Sequence, residues 1–185
     1  FSKTADHAAK YAARLSWAMN DAKIILLNAY YVSEYESILP TPDLIVTTDD
    51  YIADEIIRRR DALTRLKEKL LEINPNADIE LSFTRETILR SIIDRVNVEP
   101  IDLIIIGSNG KKAKEESDIG SNAIKISKAS PVPVLVVPPK ADYQSIRKVI
   151  LACDFKKVKE VIPMHALKNI LSKHAIELLV LNINS

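Results

Sequence analysis

The chain alternates between two hydrophobic patterns. Apolar residues at helical spacing predict helices at residues 2–20, 49–73, 86–96 and 120–129. Short runs rich in β-branched residues predict strands at 23–30, 78–84, 101–107 and 132–138. The run 101–106 is almost continuously apolar, which is typical of a strand that helices cover on both faces. The alternation therefore predicts an α/β fold around a parallel sheet.

The beginning of the chain is repeated near its end. When the sequence is shifted by 154 positions, residues 24–28 align with 178–182 without a gap. A predicted strand at 148–154 precedes the second copy, and the first copy has no residues at that place. Two prolines at 138 and 139 interrupt regular structure between the copies. These features predict a domain at 1–138 without its first strand, a linker at 139–147 and the start of a second domain at 148–185.

The composition of the chain limits the binding partners and the cellular location that are expected. Lys and Arg number 26 against 25 Asp and Glu, so no basic face is expected and nucleic acid is not an expected partner. No stretch approaches the roughly 18 to 20 apolar residues that span a bilayer, so no membrane partner is expected. The single cysteine, Cys153, fits a reducing compartment. A cytoplasmic location is the resulting prediction.

All three glycines lie in one stretch, between a predicted strand and a predicted helix. An average chain of this length would hold about 13 glycines. Gly107 and Gly110 would let backbone N–H groups approach an anion, because no Cβ stands in the way. Gly120, Ser121 and Asn122 would add N–H groups and a hydroxyl at a helix N-terminus, where the dipole favours negative charge. The stretch 107–121 therefore predicts a phosphate-binding loop.

The spacing of these residues resembles a known signature. Gly107-x-x-Gly110, nine residues and Gly120-Ser121 are similar to the phosphate-binding motif of nucleotide-binding universal stress proteins. The resemblance implies a tandem-domain member with an open, doubly wound parallel sheet of order 3-2-1-4-5, like the adenine nucleotide α-hydrolases. It also implies a stress-response binding protein that forms a homodimer and holds ATP or another adenine nucleotide, with or without Mg²⁺.

The resemblance also assigns roles to individual residues. The triphosphate and ribose would be lined by Gly107, Asn109, Gly110, Gly120, Ser121 and Asn122. The backbone near Ala29 would lie beside the adenine. In the family an Asp that closes the first strand faces the base, and only Asp154, in the second copy, matches that position.

The sequence shows no recognisable set of catalytic residues. The three histidines, His7, His165 and His174, have no metal-ligand spacing with one another and no cysteine partner. No lysine of the Walker type follows Gly120. A binding protein without turnover and without a metal site is therefore expected. The alternatives are a slow nucleotide hydrolase that uses the same loop and a dimerisation module that binds no nucleotide.

Two segments are expected to take part in assembly. The last strand of the first domain, 132–137, is an apolar edge strand that needs cover, and antiparallel pairing with a second copy would supply it. The segment 148–154 is expected to fill the place of the first strand, in the middle of the sheet, either from its own chain or by exchange from a partner chain.

Overall fold

The computed structural model describes residues 2–19, 22–31, 48–109, 119–153 and 176–182. In these ranges the helices are α1 (Lys3–Ala18), α2 (Thr48–Ile73), α3 (Ile88–Val98) and α4 (Ser121–Ala129). The strands are β1 (Ile24–Ala29), β2 (Ile79–Thr84), β3 (Ile104–Gly107), β4 (Val134–Val137), β5 (Lys148–Cys153) and β6 (Glu177–Asn182). Each of the eight elements predicted within residues 1–138 is confirmed, with ends that move by at most three residues.

The largest shift is at the start of β3, which begins at residue 104 and not at 101. Its first bond to β4 runs from the N–H of Ile104 to the carbonyl of Pro133. Two residues earlier, Asp102 would need an N–H from Pro133, and proline has none. The pairing therefore cannot extend further back.

The strands form three parallel pairs. β1 pairs with β2 from Ile24 opposite Ile79 onward, and β3 pairs with β4 from Ile104 opposite Val134 onward. The order 3-2-1-4-5 without its first strand predicts these two neighbouring pairs, and both are present. β5 pairs with β6 in a third sheet.

Two helices cover one face of the β1–β2 sheet. The buried cluster there comprises Ala13, Ile24, Leu26, Leu63, Leu70, Ala77 and Ile79. Ser2 caps the N-terminus of α1 by accepting a hydrogen bond from the N–H of Ala5. α1 packs against β3 as well as β1, so the same helix serves both sheets of this part of the chain.

The chain divides into two compact units, residues 1–143 and 144–185, and the division lies inside the predicted linker at 139–147. The first part of that linker is held on α1. Nε2 of His7 lies 2.7 Å from the carbonyl oxygen of Ala141, and the ring of Tyr143 packs edge-on against Tyr11 at 5.3 Å. Burial, with Tyr143 nearby, raises the pKa of Tyr11 above its usual value.

Insertion of the 148–154 segment from its own chain into the middle of the first sheet stays a prediction. β5 is hydrogen-bonded to β6 in a two-stranded sheet of its own. This pair is in parallel register from Lys148 opposite Glu177 to Cys153 opposite Asn182. Exchange with a partner chain stays a prediction.

Candidate functional site

The carboxyl end of β3 lies directly against the first turn of α1. A Cβ built on Gly107 would stand 2.8 Å from the carbonyl carbon and oxygen of Thr4. Real Cβ atoms do not approach backbone atoms so closely, so this position requires glycine. The sequence explains glycine at position 107 by the close approach of an anion. The structure adds a second reason, which is packing against the backbone of Thr4.

The two ends of the predicted phosphate-binding loop are joined by one hydrogen bond. The N–H of Gly120 donates to the carbonyl oxygen of Ser108 at 2.6 Å. This contact brings Gly120 next to the end of β3, where Gly107 and Asn109 lie. It also corrects one expectation, because the N–H of Gly120 is bound to Ser108 and is not a free donor for an anion.

The N–H groups that α4 itself does not use belong to its first turn. Gly120 is the N-cap residue, and the first bond within the helix runs from Ile124 to the carbonyl of Gly120 at 3.1 Å. The N–H groups of Ser121 and Asn122 precede that bond and have no partner within the helix. Both side chains are exposed. This terminus therefore combines N–H groups that the helix does not use with positive dipole charge, which is the chemistry that binds a phosphate.

A hydrogen bond ties the loop to α1. The hydroxyl of Thr4 donates to Oδ1 of Asn109 at 2.9 Å. Asn109 was predicted from the motif, whereas Thr4 was not, since nothing in its local sequence distinguishes it from any other residue in a first helical turn. The N-terminus of α1 is thereby placed beside the loop.

Among the described residues, two buried polar atoms at the carboxyl ends of strands have no hydrogen-bond partner: Oγ of Ser108 and Oδ1 of Asn28. Ser108 is only 7% exposed. Buried polar atoms are nearly always satisfied, so each of these two atoms is a candidate to bond a ligand. Ser108 lies within the motif and could have been singled out there. Asn28 carries no sequence signal except its place next to Ala29.

Three further residues were predicted for the site: Ala29, Gly110 and Asp154. Ala29 ends β1, and the next residue, Tyr30, bonds through its N–H to the carbonyl of Thr84. The guanidinium of Arg59 lies 4.3 Å above the ring of Tyr30. Gly110 and Asp154 lie outside the described residues.

The described ranges contain neither a metal cluster nor a membrane-spanning helix. Within them, no group of three or more His, Cys, Asp or Glu side chains is arranged to hold a metal ion. Within the same ranges, no helix is both long and apolar enough to cross a bilayer.

The family model of the universal stress proteins matches residues 1–138 of this chain. This chain belongs to the universal stress protein family. The match spans all four helices and β1 to β4, including both ends of the glycine loop. No curated protein sequence shows significant similarity to the chain.

Solved structures agree on the fold. The universal stress protein UspA from Lactobacillus plantarum superposes with a TM-score of 0.59 at 20% identity, over 74% of this chain and 90% of that one. A universal stress protein solved in complex with cAMP superposes with a TM-score of 0.54 at 20% identity, over 75% of this chain and 92% of that one. These likenesses place residues 1–138 in the α/β fold of the family.

Proposed function

We propose that this universal stress protein binds an adenine nucleotide, ATP or a relative, and acts as a stress-response regulator through occupancy and not through turnover. The observation that supports this proposal is the N-terminus of α4, where the N–H of Gly120 bonds to the carbonyl of Ser108. There the N–H groups of Ser121 and Asn122 precede the first intrahelical bond, and both residues are exposed.

The residues present fit a phosphate chain. Gly107, Asn109 and Gly120 meet at the end of β3, and Ser108 adds a buried hydroxyl that has no partner. These groups are neutral donors and small residues, which suit close approach by an anion. Together with Gly110 and the first turn of α4, they would hold the phosphates and ribose.

The base would lie near the carboxyl end of β1. Ala29 ends that strand, and Asn28 before it has an unpartnered buried Oδ1 that could accept a hydrogen bond from an amino group. A universal stress protein of the same fold has been solved with cAMP, which supports an adenine compound as the ligand class.

Titration calorimetry with ATP, AMP and cAMP, with and without Mg²⁺, tests the proposal. We expect ATP to bind, and Gly120→Val to weaken it at least about tenfold, about 1.4 kcal/mol, because a β-branched side chain blocks the approach to α4. Ser127→Val adds the same side chain to an exposed place on α4 and should leave the affinity unchanged. Unchanged ATP affinity in a folded Gly120→Val variant would place the site elsewhere.

A phosphate-release assay separates a sensor from a slow hydrolase. We expect bound ATP to persist without release of phosphate, since no lysine of the Walker type follows Gly120. Steady release of phosphate that Gly120→Val abolishes would instead favour the hydrolase.

A further inference from the structure

The first turn of α1 is held in a fixed position beside the glycine loop. Ser2 accepts two hydrogen bonds there, one through its hydroxyl from the N–H of Ala5 and one through its carbonyl from the N–H of Asp6. Within this turn Thr4 is only 8% exposed, and its backbone packs against Gly107 at the end of β3. The Thr4 side chain therefore starts from a backbone that has little room to move.

The hydroxyl of Thr4 fixes the side-chain amide of Asn109. It donates to Oδ1 of Asn109 at 2.9 Å, in a partly buried contact. An asparagine amide carries an oxygen that accepts hydrogen bonds and an amino group that donates them, and both branch from the same carbon. Because Oδ1 is held against α1, the Nδ2 group is directed away from that helix.

The orientation of this amide matters for an anionic ligand. Asn109 follows Ser108, whose carbonyl accepts the N–H of Gly120 at the start of α4. Ionised phosphate oxygens accept hydrogen bonds, so they are attracted by the amino group of Asn109 and repelled by its oxygen. A half-turn of the amide would exchange these two groups with little change in shape. The residue that bonds Oδ1 therefore decides whether Asn109 attracts or repels a phosphate.

We infer that Thr4 is a positioning residue of the proposed nucleotide site, because its hydroxyl turns the amino group of Asn109 toward the oxygen atoms of the nucleotide. This inference rests on the proposed function and names the part of Asn109 that meets the ligand. Thr4 donates to Asn109, and Asn109 donates to the nucleotide. The two bonds form a chain that points from α1 into the site, and hydrogen bonds in such a chain strengthen one another.

The bond from Thr4 can be removed without removing the packing of Thr4. The atoms of Thr4 that crowd Gly107 are its carbonyl carbon, its carbonyl oxygen and its Cβ. Valine has the same backbone and the same branched Cβ, with a methyl group in place of the hydroxyl. Thr4→Val therefore deletes the donor to Asn109 and keeps the contact with Gly107. If Thr4→Val does not fold, Thr4→Ala takes its place, since it also lacks the hydroxyl and favours a helix.

Calorimetry of ATP binding to Thr4→Val and Thr4→Ser tests the inference. We expect Thr4→Val to bind ATP at least about threefold more weakly than the parent, as for the loss of one oriented hydrogen bond. Thr4→Ser keeps the hydroxyl and should stay within about twofold of the parent. Thr64→Val is the matched control on α2, where the hydroxyl of Thr64 bonds the carbonyl of Arg60, and it should leave the affinity unchanged. Equal affinities of the parent and Thr4→Val would overturn the inference.

A double-mutant cycle with Asn109→Ala shows whether Thr4 acts through Asn109. Asn109→Ala removes the amino group and should weaken ATP binding at least as much as Thr4→Val does. In the Asn109→Ala background, Thr4→Val should have no further effect, because no amide is left to orient. If Thr4→Val weakens ATP binding equally in both backgrounds, Thr4 acts by packing and the inference is wrong.

The side-chain amide of Asn109 also gives a readout that needs no nucleotide. In isotope-labelled protein without ligand, the NMR order parameter of the Asn109 Nδ2 group should be high in the parent and Thr4→Ser and lower in Thr4→Val. Similar values in all three proteins would overturn the inference. If the order parameter follows the Thr4 hydroxyl while no variant binds ATP, the positioning by Thr4 is supported and the nucleotide proposal fails. The two failures are therefore distinguishable.

Discussion

The backbone of Thr4 occupies the space that a side chain on Gly107 would need. The distance from an ideal Cβ at Gly107 to the carbonyl carbon of Thr4 is 2.8 Å. This contact fixes the first turn of α1 against the end of β3 and holds the Thr4 hydroxyl beside Asn109. The start of α1 is therefore part of the wall of the proposed nucleotide site.

Gly107→Ala should destabilise the protein even without ligand. The added methyl group meets backbone atoms that can move only if α1 or β3 moves, and overpacking of this kind costs about 1–3 kcal/mol. Gly120→Ala is the comparison, since Gly120 has φ −64° and ψ 148°, which any residue adopts. Urea unfolding measures both. Equal losses in the two variants would contradict the role assigned to Thr4.

The core beneath α2 should depend on Leu70. This side chain is fully buried in the cluster with Ala13, Leu63 and Ile79. Leu70→Ala should lower the free energy of unfolding by about 2–5 kcal/mol, because it removes buried methyl groups and leaves a cavity. Ile57→Ala on the same helix is the control, since Ile57 is 57% exposed and its loss should stay within about 0.5 kcal/mol. A similar loss at both positions would contradict the packing of α2.

An ion-pair cluster at the start of the β1–β2 sheet should respond to acid. Hydrogen bonds from Lys23 and then Arg95 hold the pKa of Glu80 below its usual value. A lowered pKa in the folded state means that the carboxylate stabilises the fold above the ordinary glutamate pKa, about 4.3, and that this contribution is lost as pH falls through the folded pKa.

Melting temperatures between pH 7 and pH 3 test this expectation. The parent protein should melt above Glu80→Gln at pH 7, and the difference should shrink as pH falls below about 4.3. Glu72→Gln, at an exposed position of α2, should show no such convergence. A difference between parent and Glu80→Gln that stays constant over the whole range would show that the charge of Glu80 does not matter.

The predicted antiparallel dimer can be tested at the outer edge of β4, which is the edge that does not pair with β3. The carbonyls of Pro133 and Val137 accept bonds from β3 and the residue after it, so Val134 and Val136 direct their N–H groups to the outer edge. If two copies pair through β4, the amides of Val134 and Val136 should be protected from hydrogen exchange at concentrations where the dimer forms. The amide of Leu135, which faces β3, should be protected at every concentration. Rapid exchange of Val134 and Val136 in a confirmed dimer would exclude this interface.

Proline at the first position of α4 offers a selective test of the anion site. Ser121→Pro removes one free N–H, and proline is favoured at the first helical position. Gly120 before it is already extended, as a residue before proline should be. We expect Ser121→Pro to keep its stability and to bind ATP at least about fivefold more weakly, about 1 kcal/mol, than Ser121→Ala, which removes only the hydroxyl. Equal affinities in these two variants would mean that this N–H does not contact the nucleotide.

The hydrophobic pattern predicts the elements of the fold because strands appear as short apolar runs, as 24–29 does, and helices as apolar residues at helical spacing, as 121–129 does. The pairing of β1 with β2 and of β3 with β4 also followed from the family order. The contact of Thr4 with Gly107 could not be predicted, since it joins residues about 100 positions apart and leaves no local pattern. The late start of β3 could have been foreseen from the missing N–H of Pro133.

The unpartnered atoms at Asn28 and Ser108 could not be predicted from sequence either. Whether a polar side chain is satisfied depends on which segments the fold brings beside it, and these two lie on different sheets. The bond from Gly120 to Ser108 shows the same limit, because the motif alone suggested that the N–H of Gly120 was free.

Titration of the isotope-labelled protein with ATP, followed through its backbone amide resonances, tests the central claim most directly. If the N-terminus of α4 holds the phosphates, saturable shifts should appear at Ser121 and Asn122, with little change at Lys128 in the last turn of the same helix. Resonances that do not move at millimolar ATP, or shifts confined to residues away from the 107–122 segment, would contradict it.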